Sequence, residues 1–420
     1  MKVQRTLSPS AAPLTWRDLL QGLVAPFGGQ RVLDALTKEF QEYFGVRHVF
    51  WVTSGKAALT LILSGLASLS PRRKVVIPAY TCFSVPSSVI KAGLEIRLCD
   101  VDPATLDFDM TDLKEALDDK VLAVVPTHLF GSSADVAQAA LYAKEKGIYV
   151  VEDVAQAFGG MKAGKPLGTG GDVAFVSFGR GKNITCGSGG AILTNSDRIA
   201  DSIRVEYEGL EMESLGVAIR NWTEVALMHL LIRPAAYWFP SGLPFLRLGE
   251  TKFYRDFPML KMGRMRAGLL SRWRPRLSQS TMDRSEKTSR IVRRLKEDRV
   301  HRIFPQSQYG SVHLRLPLLM SSREQKQRIC ALSNDRGLGI SACYPGTVQQ
   351  IPELQSVLDG ANVSGASTLA ECLVTLPTHH YVNELDVGRI VAALNEVEVE
   401  AKDATTASTR RGTRKATSAC

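Results

Sequence analysis

The sequence predicts an α/β protein with a mainly parallel sheet, helices on both faces of that sheet, and a smaller α+β domain after it. Short apolar segments alternate with helical segments between residues 48 and 194, as is typical of parallel α/β sheets. Several apolar segments end in a polar residue or a glycine-rich loop, and open α/β sheets bind ligands at that edge. The length of 420 residues and the hydrophobic content of 45% are compatible with two domains and a large core.

The elements follow from the spacing of apolar residues. Residues 17–45 have apolar side chains at helical spacing and predict entry helices before the first strand. The predicted elements that follow are strand 48–53, helix 56–68, strand 74–78, helix 82–92, strand 95–100, helix 111–118, strand 121–126, helix 134–146, and strands 148–153, 173–178 and 190–194.

Four parts of the chain are predicted. Residues 1–222 form the large domain with its N-terminal helices, and residues 223–280 are an apolar and basic insertion. Residues 281–400 form the small domain, with helix 281–299, strand 311–318, helix 322–336, a short strand over 340–344 and helix 384–397. Residues 401–420 are rich in Ala, Thr, Ser, Lys and Arg, a composition that predicts a disordered tail.

The net charge of +10 is unevenly distributed. Residues 261–302 contain 14 Lys and Arg against four Asp and Glu, and the tail 401–420 contains five against one. Such basic segments attract anionic lipid, nucleic acid or phosphorylated ligands, although most are solvated surface. No specific nucleic-acid partner is predicted.

The insertion begins with an apolar stretch, residues 225–246, that is long enough to span a membrane. His229, Arg233 and three prolines disfavour a regular spanning helix there. Two interpretations of residues 225–280 remain open. The segment forms either an oligomer contact or lid, or a peripheral membrane patch.

The cysteine pattern and the N-terminus indicate a cytoplasmic protein, with membrane association as the alternative. None of the seven cysteines forms a Cys-x-x-Cys pair, which argues against a zinc site or a disulfide framework and predicts no metal. Residues 1–16 contain no apolar core of signal-peptide length.

A single lysine, Lys182, lies in a glycine-rich loop directly after the apolar strand 173–178. A lysine amine is a nucleophile only after it loses its proton, which burial or a neighbouring cation promotes. Asp153 ends the apolar strand before it. Pyridoxal 5'-phosphate requires this pair, because a lysine attaches the cofactor and a carboxylate keeps the pyridine nitrogen protonated.

A phosphate site is predicted where Ser54, Gly55 and Lys56 open the next apolar helix. Free backbone N–H groups at the start of a helix bind phosphate. The simpler interpretations are a solvated lysine for Lys182, a helix cap for Asp153 and a buried core serine for Ser177.

These segments together resemble the DegT/StrS-type sugar aminotransferases, which are fold-type I pyridoxal-phosphate enzymes. The resemblance runs in order from about residue 30 to 210 and resumes over about 285–398. The segments that carry it are Ser54-Gly55-Lys56-Ala57-Ala58-Leu59, Ile77-Pro78-Ala79-Tyr80-Thr81, Pro126-Thr127-His128-Leu129-Phe130-Gly131, Glu152-Asp153 to Gly159, Ser177-Phe178 to Asn183, and Leu376-Pro377-Thr378-His379.

The resemblance implies a role for each candidate residue. Lys182 would attach the cofactor and transfer protons, and Asp153 would pair with the pyridinium nitrogen. Gln156 would contact the O3' edge of the ring, and Ser177 would bind the phosphate together with the start of the helix at residues 54–56. The resemblance also implies a homodimer. It further implies that glutamate donates the amino group to a nucleotide-linked keto-sugar, in polysaccharide or cell-surface glycan biosynthesis.

Two positions depart from the family pattern. Lys56 stands where the family usually has Thr or Ser, and Cys82 stands where an aromatic residue normally stacks on the cofactor ring, which leaves the stacking residue open. Arg220 or Asn221 would correspond to the asparagine that the family borrows from a neighbouring subunit. The alternatives are a sugar dehydratase, whose branch has histidine in place of Lys182, and a non-enzymatic regulatory or membrane-recruited protein on the same fold.

Overall fold

The computed structural model describes residues 3–246, 248–295, 302–303, 312–358 and 360–398. The predicted tail 401–420 lies outside the described residues. The strands are β1 (His48–Val52), β2 (Lys74–Pro78), β3 (Glu95–Cys99), β4 (Val101–Asp102), β5 (Asp107–Phe108), β6 (Val121–Val124), β7 (Tyr149–Asp153), β8 (Met161–Lys162), β9 (Lys165–Pro166), β10 (Val173–Ser177), β11 (Gly190–Thr194), β12 (Arg302–Ile303), β13 (Arg315–Leu319) and β14 (Leu373–Pro377).

Helices connect these strands and flank the sheet. They are α1 (Trp16–Val24), α2 (Arg31–Phe44), α3 (Gly55–Ser68), α4 (Ser84–Lys91), α5 (Met110–Ala116), α6 (Val136–Glu145), α7 (Asp197–Glu208), α8 (Leu215–Leu231), α9 (Trp238–Ser241), α10 (Arg264–Leu270), α11 (Trp273–Arg294), α12 (Arg323–Arg336), α13 (Gln355–Leu358), α14 (Ser364–Cys372) and α15 over 384–398.

The main sheet has seven strands in the order β1-β11-β10-β7-β6-β2-β3. Neighbours from β10 through β7, β6 and β2 to β3 pair in parallel, whereas β11 is antiparallel to both β1 and β10. The predicted α/β class with a mainly parallel sheet is therefore confirmed. Five parallel strands place their carboxyl ends at one edge, where ligands bind in such sheets.

Packing on both faces of the sheet holds this edge in place. One apolar cluster packs α3 and α4 against β1, β2 and β10, and a second packs α2, α10 and α11 against the other face. Phe40 of α2 is fully buried in the second cluster, where its ring lies 4.7 Å from that of Trp273 and 4.8 Å from that of Trp51. The helices on this second face thus come from sequence segments more than 200 residues apart.

The small sheet differs in detail from the prediction. It contains β12, β13 and β14 in antiparallel pairing, with α12 and α15 in the same apolar cluster. The predicted strand over 340–344 is wrong, because only Ser341 pairs there, in an isolated bridge to Thr375. The predicted helix 281–299 begins earlier, at Trp273, and its last residues, 296–299, lie outside the described residues.

The limits of the predicted insertion fall inside helices. Helix α8 continues through residue 222, and α11 continues through residue 280. The fourfold division of the chain therefore stays a prediction. Within the described part of the chain, no helix combines the length and the apolar character that crossing a bilayer would require.

Candidate active site

Asp153 is the last residue of β7 and is buried at the ligand edge of the sheet. Its Oδ1 accepts a hydrogen bond of 2.8 Å from the N–H of Ala155, and its Oδ2 has no hydrogen-bond partner among the described residues. Burial raises the pKa of the carboxyl, while the N–H of Ala155 and the charges of Lys182 and His128 act against that rise. One carboxylate oxygen is thus left for a ligand.

Lys182 lies in the loop between β10 and β11, at the same edge of the sheet. Parallel pairing puts Phe175 of β10 opposite Asp153, so the loop that follows β10 passes beside the carboxylate. Burial lowers the pKa of the lysine amine, Cys82 and Asp153 oppose this change, and Arg315 adds to it. A lowered pKa frees the lone pair that a nucleophilic amine requires.

The start of α3 forms a cradle next to Ser177. Ser54 caps the helix by accepting a hydrogen bond of 3.1 Å from the N–H of Ala57. Gly55 follows, and a Cβ atom there would lie 2.8 Å from Cβ of Ser177, closer than side chains pack. Only glycine therefore lets the hydroxyl of Ser177 approach the first turn of α3, which is the arrangement expected for a phosphate site.

Lys56 contacts aromatic rings of the insertion. Its Nζ lies 4.4 Å from the ring centre of Phe257 and 4.9 Å from that of Tyr254, distances at which a cation is attracted to an aromatic face. Burial lowers the pKa of this lysine. Lys56 departs from the family pattern in sequence, and the structure places its amine over this aromatic pair.

Gln156 connects two distant segments of the chain near the site. Its Oε1 accepts a hydrogen bond of 3.1 Å from the N–H of Phe130, and its Nε2 donates one of 2.5 Å to the hydroxyl of Tyr344. The predicted contact with the cofactor O3' edge stays a prediction. Tyr344, which the sequence reasoning did not select, packs its ring 5.3 Å from that of Tyr80.

The ring-stacking position stays open. Cys82 is half-buried, and its charge acts on the pKa of both Lys56 and Lys182. Tyr80 is buried against the C-terminal part of the chain.

Four polar residues in or near the family-like segments make hydrogen bonds within this chain. His128 donates through Nε2 to Oε1 of Glu152 at 2.8 Å and accepts through Nδ1 from the N–H of Ala134 at 2.9 Å, as expected for a structural histidine. The remaining contacts are those of Asn221 with the carbonyl of Cys186 and with Arg266, of Arg220 with Glu224, and of His379 with the carbonyl of Ser8.

Arg315 is a second residue near this site that the sequence reasoning missed. It begins β13 of the small domain, and its charge acts on the pKa of Lys182, Tyr80 and Tyr344. The signal was present in the sequence, because an arginine interrupts the apolar run from Val312 to Met320.

The residues present fit pyridoxal 5'-phosphate. Three features lie at one sheet edge. They are a lysine with a lowered pKa, a carboxylate with one oxygen that no described residue contacts, and a glycine-lined helix start beside a serine. The sequence profile of the DegT/DnrJ/EryC1/StrS aminotransferase family matches residues 28–395. The chain belongs to this family.

Individual relatives extend this result. The chain is 31% identical to GDP-perosamine synthase of Vibrio cholerae over 181 residues, 43% of this chain and 49% of that protein. It thus spans about half the length of the curated relatives that it matches.

Two solved structures share the fold. One is PseC of Helicobacter pylori, an aminotransferase of pseudaminic acid biosynthesis, with a TM-score of 0.75, 17% identity, and coverage of 94% of this chain and 100% of that one. The other is a mutant of GDP-4-keto-6-deoxymannose-3-dehydratase, with a TM-score of 0.71, 17% identity, and coverage of 92% and 100%. The fold is therefore that of the fold-type I family members, as the resemblance implied.

Buried histidines predict how the stability of the fold depends on pH. Burial lowers the pKa of His379 from its ordinary value of 6.5 to about 3, so the unfolded chain binds a proton there that the folded chain excludes. This contribution to stability is complete above pH 6.5 and is lost progressively as the pH falls towards 3. We expect the unfolding free energy of His379→Gln to fall less steeply with decreasing pH than that of the wild type. The difference in slope should be up to about 1.4 kcal/mol per pH unit. Urea unfolding at several pH values measures this slope, and an unchanged slope would contradict the prediction.

Proposed function

We propose that the protein is a pyridoxal-phosphate-dependent aminotransferase that moves an amino group from an amino acid, glutamate by family resemblance, to a nucleotide-linked keto-sugar. The observation that carries this proposal is the placement of Lys182 beside Asp153 at one sheet edge. Family membership and relatives named for amino-sugar synthesis support it. The product would enter polysaccharide or cell-surface glycan biosynthesis.

The chain supplies binding and proton transfer. When bound, the cofactor supplies an electron sink for the carbon that loses a proton. Lys182 would attach the cofactor, leave it when the amino donor arrives, and then move the proton at the reacting carbon. Asp153 would hold the proton of the pyridine nitrogen through Oδ2, the carboxylate oxygen that no described residue contacts.

The phosphate of the cofactor would be held by the start of α3. Ser54 and Gly55 present the backbone N–H groups of the first turn, and Ser177 adds a hydroxyl. These groups act through the partial positive charge at a helix N-terminus. The amine of Lys56 lies on the aromatic pair of the insertion, so its contribution here is that of its backbone.

The alternatives are less well supported by the residues present. A dehydratase on this fold is a structural neighbour, but a lysine amine beside Asp153 is the arrangement that amino transfer uses. A non-enzymatic regulatory or membrane-recruited protein would not require Lys182, Asp153 and Ser177 together at one edge. The six described cysteines are free thiols, which supports the cytoplasmic location that we propose with this activity.

A second copy of the chain is the partner that we propose for the exposed apolar face formed by α8 and the turns after it. Residues of α8 and of the turns after it expose large apolar side chains to water, and such faces usually mark an interaction surface. The exposed residues are Leu215, Ile219, Leu227, Leu230, Phe239 and Phe245.

A peripheral membrane contact through residues 225–280 stays the alternative prediction. It requires free basic side chains beside the apolar face, because anionic lipid attracts them. Many described arginines of residues 261–295 instead contact acceptors within the chain. The contacts are those of Arg266 with Glu213, Arg274 with Glu39, Arg290 and Arg294 with Glu384, and Arg276 and Arg284 with backbone carbonyls.

Covalent attachment of the cofactor tests the proposed function directly. We expect reduction with borohydride to fix the cofactor on the peptide that contains Lys182, and we expect Lys182→Ala to prevent it. Peptide mass mapping of the reduced protein makes the measurement. Lys56→Ala is the matched control. The amine of Lys56 lies over aromatic rings, so its removal should leave the labelling of the Lys182 peptide unchanged. Attachment at any other lysine would refute the assignment.

The role of Asp153 is tested by Asp153→Asn. This change keeps the shape but removes the charge that holds the ring proton, so the cofactor should still bind while amino transfer slows. Electrostatic groups at a reacting centre contribute roughly 2.7–4 kcal/mol, which corresponds to about 100- to 1,000-fold in rate. Stopped-flow absorbance gives the rate of the half-reaction with glutamate, and near-native turnover would remove Asp153 from the mechanism.

The apolar face is tested by sedimentation velocity. We expect the wild type to sediment as a dimer and the double variant Leu227→Glu/Leu230→Glu as a monomer, because charges at an apolar contact are costly to bury. Val205→Glu, at an exposed position on α7, is the matched control and should remain dimeric. A monomeric wild type that co-sediments with anionic vesicles at low salt, and is released at high salt, would favour the membrane instead.

A further inference from the structure

The N-terminal segment, residues 5–13, lies against the loop that carries Lys182. Leu7, Ser8 and Ala11 of this segment are buried, and Leu7 belongs to the apolar cluster of the small sheet. The family profile matches from residue 28 onward, so the segment precedes the matched part of the chain. Membership of the family therefore assigns this segment no role.

Ser10 holds the loop directly before Lys182. Its hydroxyl donates a hydrogen bond of 2.8 Å to the carbonyl of Gly181, which is the residue before the lysine. Gly181 has a φ angle of +76°, a conformation that glycine adopts freely, so the loop turns at this residue. The carbonyl of Ser10 in turn accepts a hydrogen bond of 3.1 Å from the hydroxyl of Ser8. The serine is thus fixed from its own side and fixes the turn before the lysine.

Arg276 of α11 links the same segment to the loop after Lys182. The arginine is buried, and its Nε donates to the carbonyl of Pro13 while its Nη2 donates to that of Thr185, each at 2.9 Å. Because a guanidinium group is planar and rigid, these two bonds fix the distance between the two backbones. Lys182 therefore lies between two positions, Gly181 and Thr185, whose carbonyls are both held.

The other side of the segment is held by residues of the predicted small domain. The carbonyl of Ser8 accepts a hydrogen bond of 2.9 Å from Nε2 of His379, and the carbonyl of Ala11 accepts one of 2.7 Å from Nη2 of Arg284. The segment therefore cannot move away from the lysine loop without breaking these bonds as well.

We propose that Ser10 is a positioning residue for Lys182, because its bond to the carbonyl of Gly181 keeps the lysine amine at the sheet edge beside Asp153. This inference rests on the proposed function, since it takes that amine as the group that attaches the cofactor. A purely structural hydrogen bond is the alternative, and it would leave the reactivity of the amine unchanged.

Hydrogen exchange of the cofactor-free, full-length protein tests whether Ser10 holds the loop. We expect the amides of residues 179–186 to exchange about 2- to 10-fold faster in Ser10→Ala than in the wild type, which is the range expected for loss of one hydrogen bond. Ser10→Thr keeps a hydroxyl and should restore the wild-type rate. The matched control is Ser202→Ala, which also loses a hydroxyl-to-carbonyl bond of 2.8 Å, that to Ile199 on α7, and should leave the loop unchanged.

The rate of cofactor attachment tests whether the held loop positions the amine. Pyridoxal phosphate is added to the cofactor-free protein, borohydride stops the reaction at successive times, and mass mapping measures the labelled Lys182 peptide. We expect attachment to be about 2- to 10-fold slower in Ser10→Ala, because a looser loop keeps the amine in place for a smaller fraction of the time. Ser10→Thr and Ser202→Ala should attach the cofactor at the wild-type rate.

Each outcome decides one part of the inference. Unchanged exchange in Ser10→Ala would show that the serine does not hold the loop, and faster exchange with an unchanged attachment rate would overturn the positioning role. Should the wild type attach no cofactor, the proposed function fails, and the exchange rates alone decide whether Ser10 holds the loop. Should Ser10→Ala fail to fold, Ser10→Cys takes its place, because a thiol is a weak donor of similar size.

Discussion

A buried carboxylate beside a half-buried lysine is the constraint on which the site depends. Removal from water penalises the charged forms of both Asp153 and Lys182, and each charge stabilises the other. This balance exists only because parallel pairing of β7 and β10 brings two separate strand ends to one edge. The buried helices on both faces of the sheet keep that edge from shifting, so the packing of the large domain sets the electrostatics of the site.

Two adjacent carboxylates on β7 have opposite tasks because a strand directs successive side chains to opposite faces. Glu152 accepts hydrogen bonds from His128 and from the N–H groups of Gly168, Gly170 and Gly171. Burial would raise the pKa of Glu152, but these contacts lower it. Its acceptor capacity is thus used inside the fold, whereas one oxygen of Asp153 has no partner in the part of the chain that the structure describes. A single position thus separates a carboxylate that is bonded within the fold from the one that the proposed function assigns to the cofactor.

The sequence predicted those parts of the molecule that local pattern determines. Strand ends, the helix start at Gly55 and the lysine loop follow from apolar runs and glycines within short segments, and the structure brings them to one edge. It could not predict contacts between distant segments, such as Lys56 on Phe257 or Gln156 on Tyr344, because spacing carries no information about them. The strand expected over 340–344 failed for a related reason, since its apolar residues pack as an irregular segment beside β14. Arg315 was overlooked because a single charged residue in an apolar segment does not show, from sequence alone, which residues it will lie near.

The N-terminal segment links the small domain to the lysine loop. The carbonyl of Ser8 accepts a hydrogen bond of 2.9 Å from His379, the carbonyl of Ala11 accepts one of 2.7 Å from Arg284, and the hydroxyl of Ser10 donates one of 2.8 Å to the carbonyl of Gly181. Gly181 directly precedes Lys182. Arg284 also donates to the carbonyl of Leu314, next to Arg315. One short segment therefore contacts the neighbour of Lys182 directly and the neighbour of Arg315 through Arg284, so the chain start ties the loop after β10 to the strand β13.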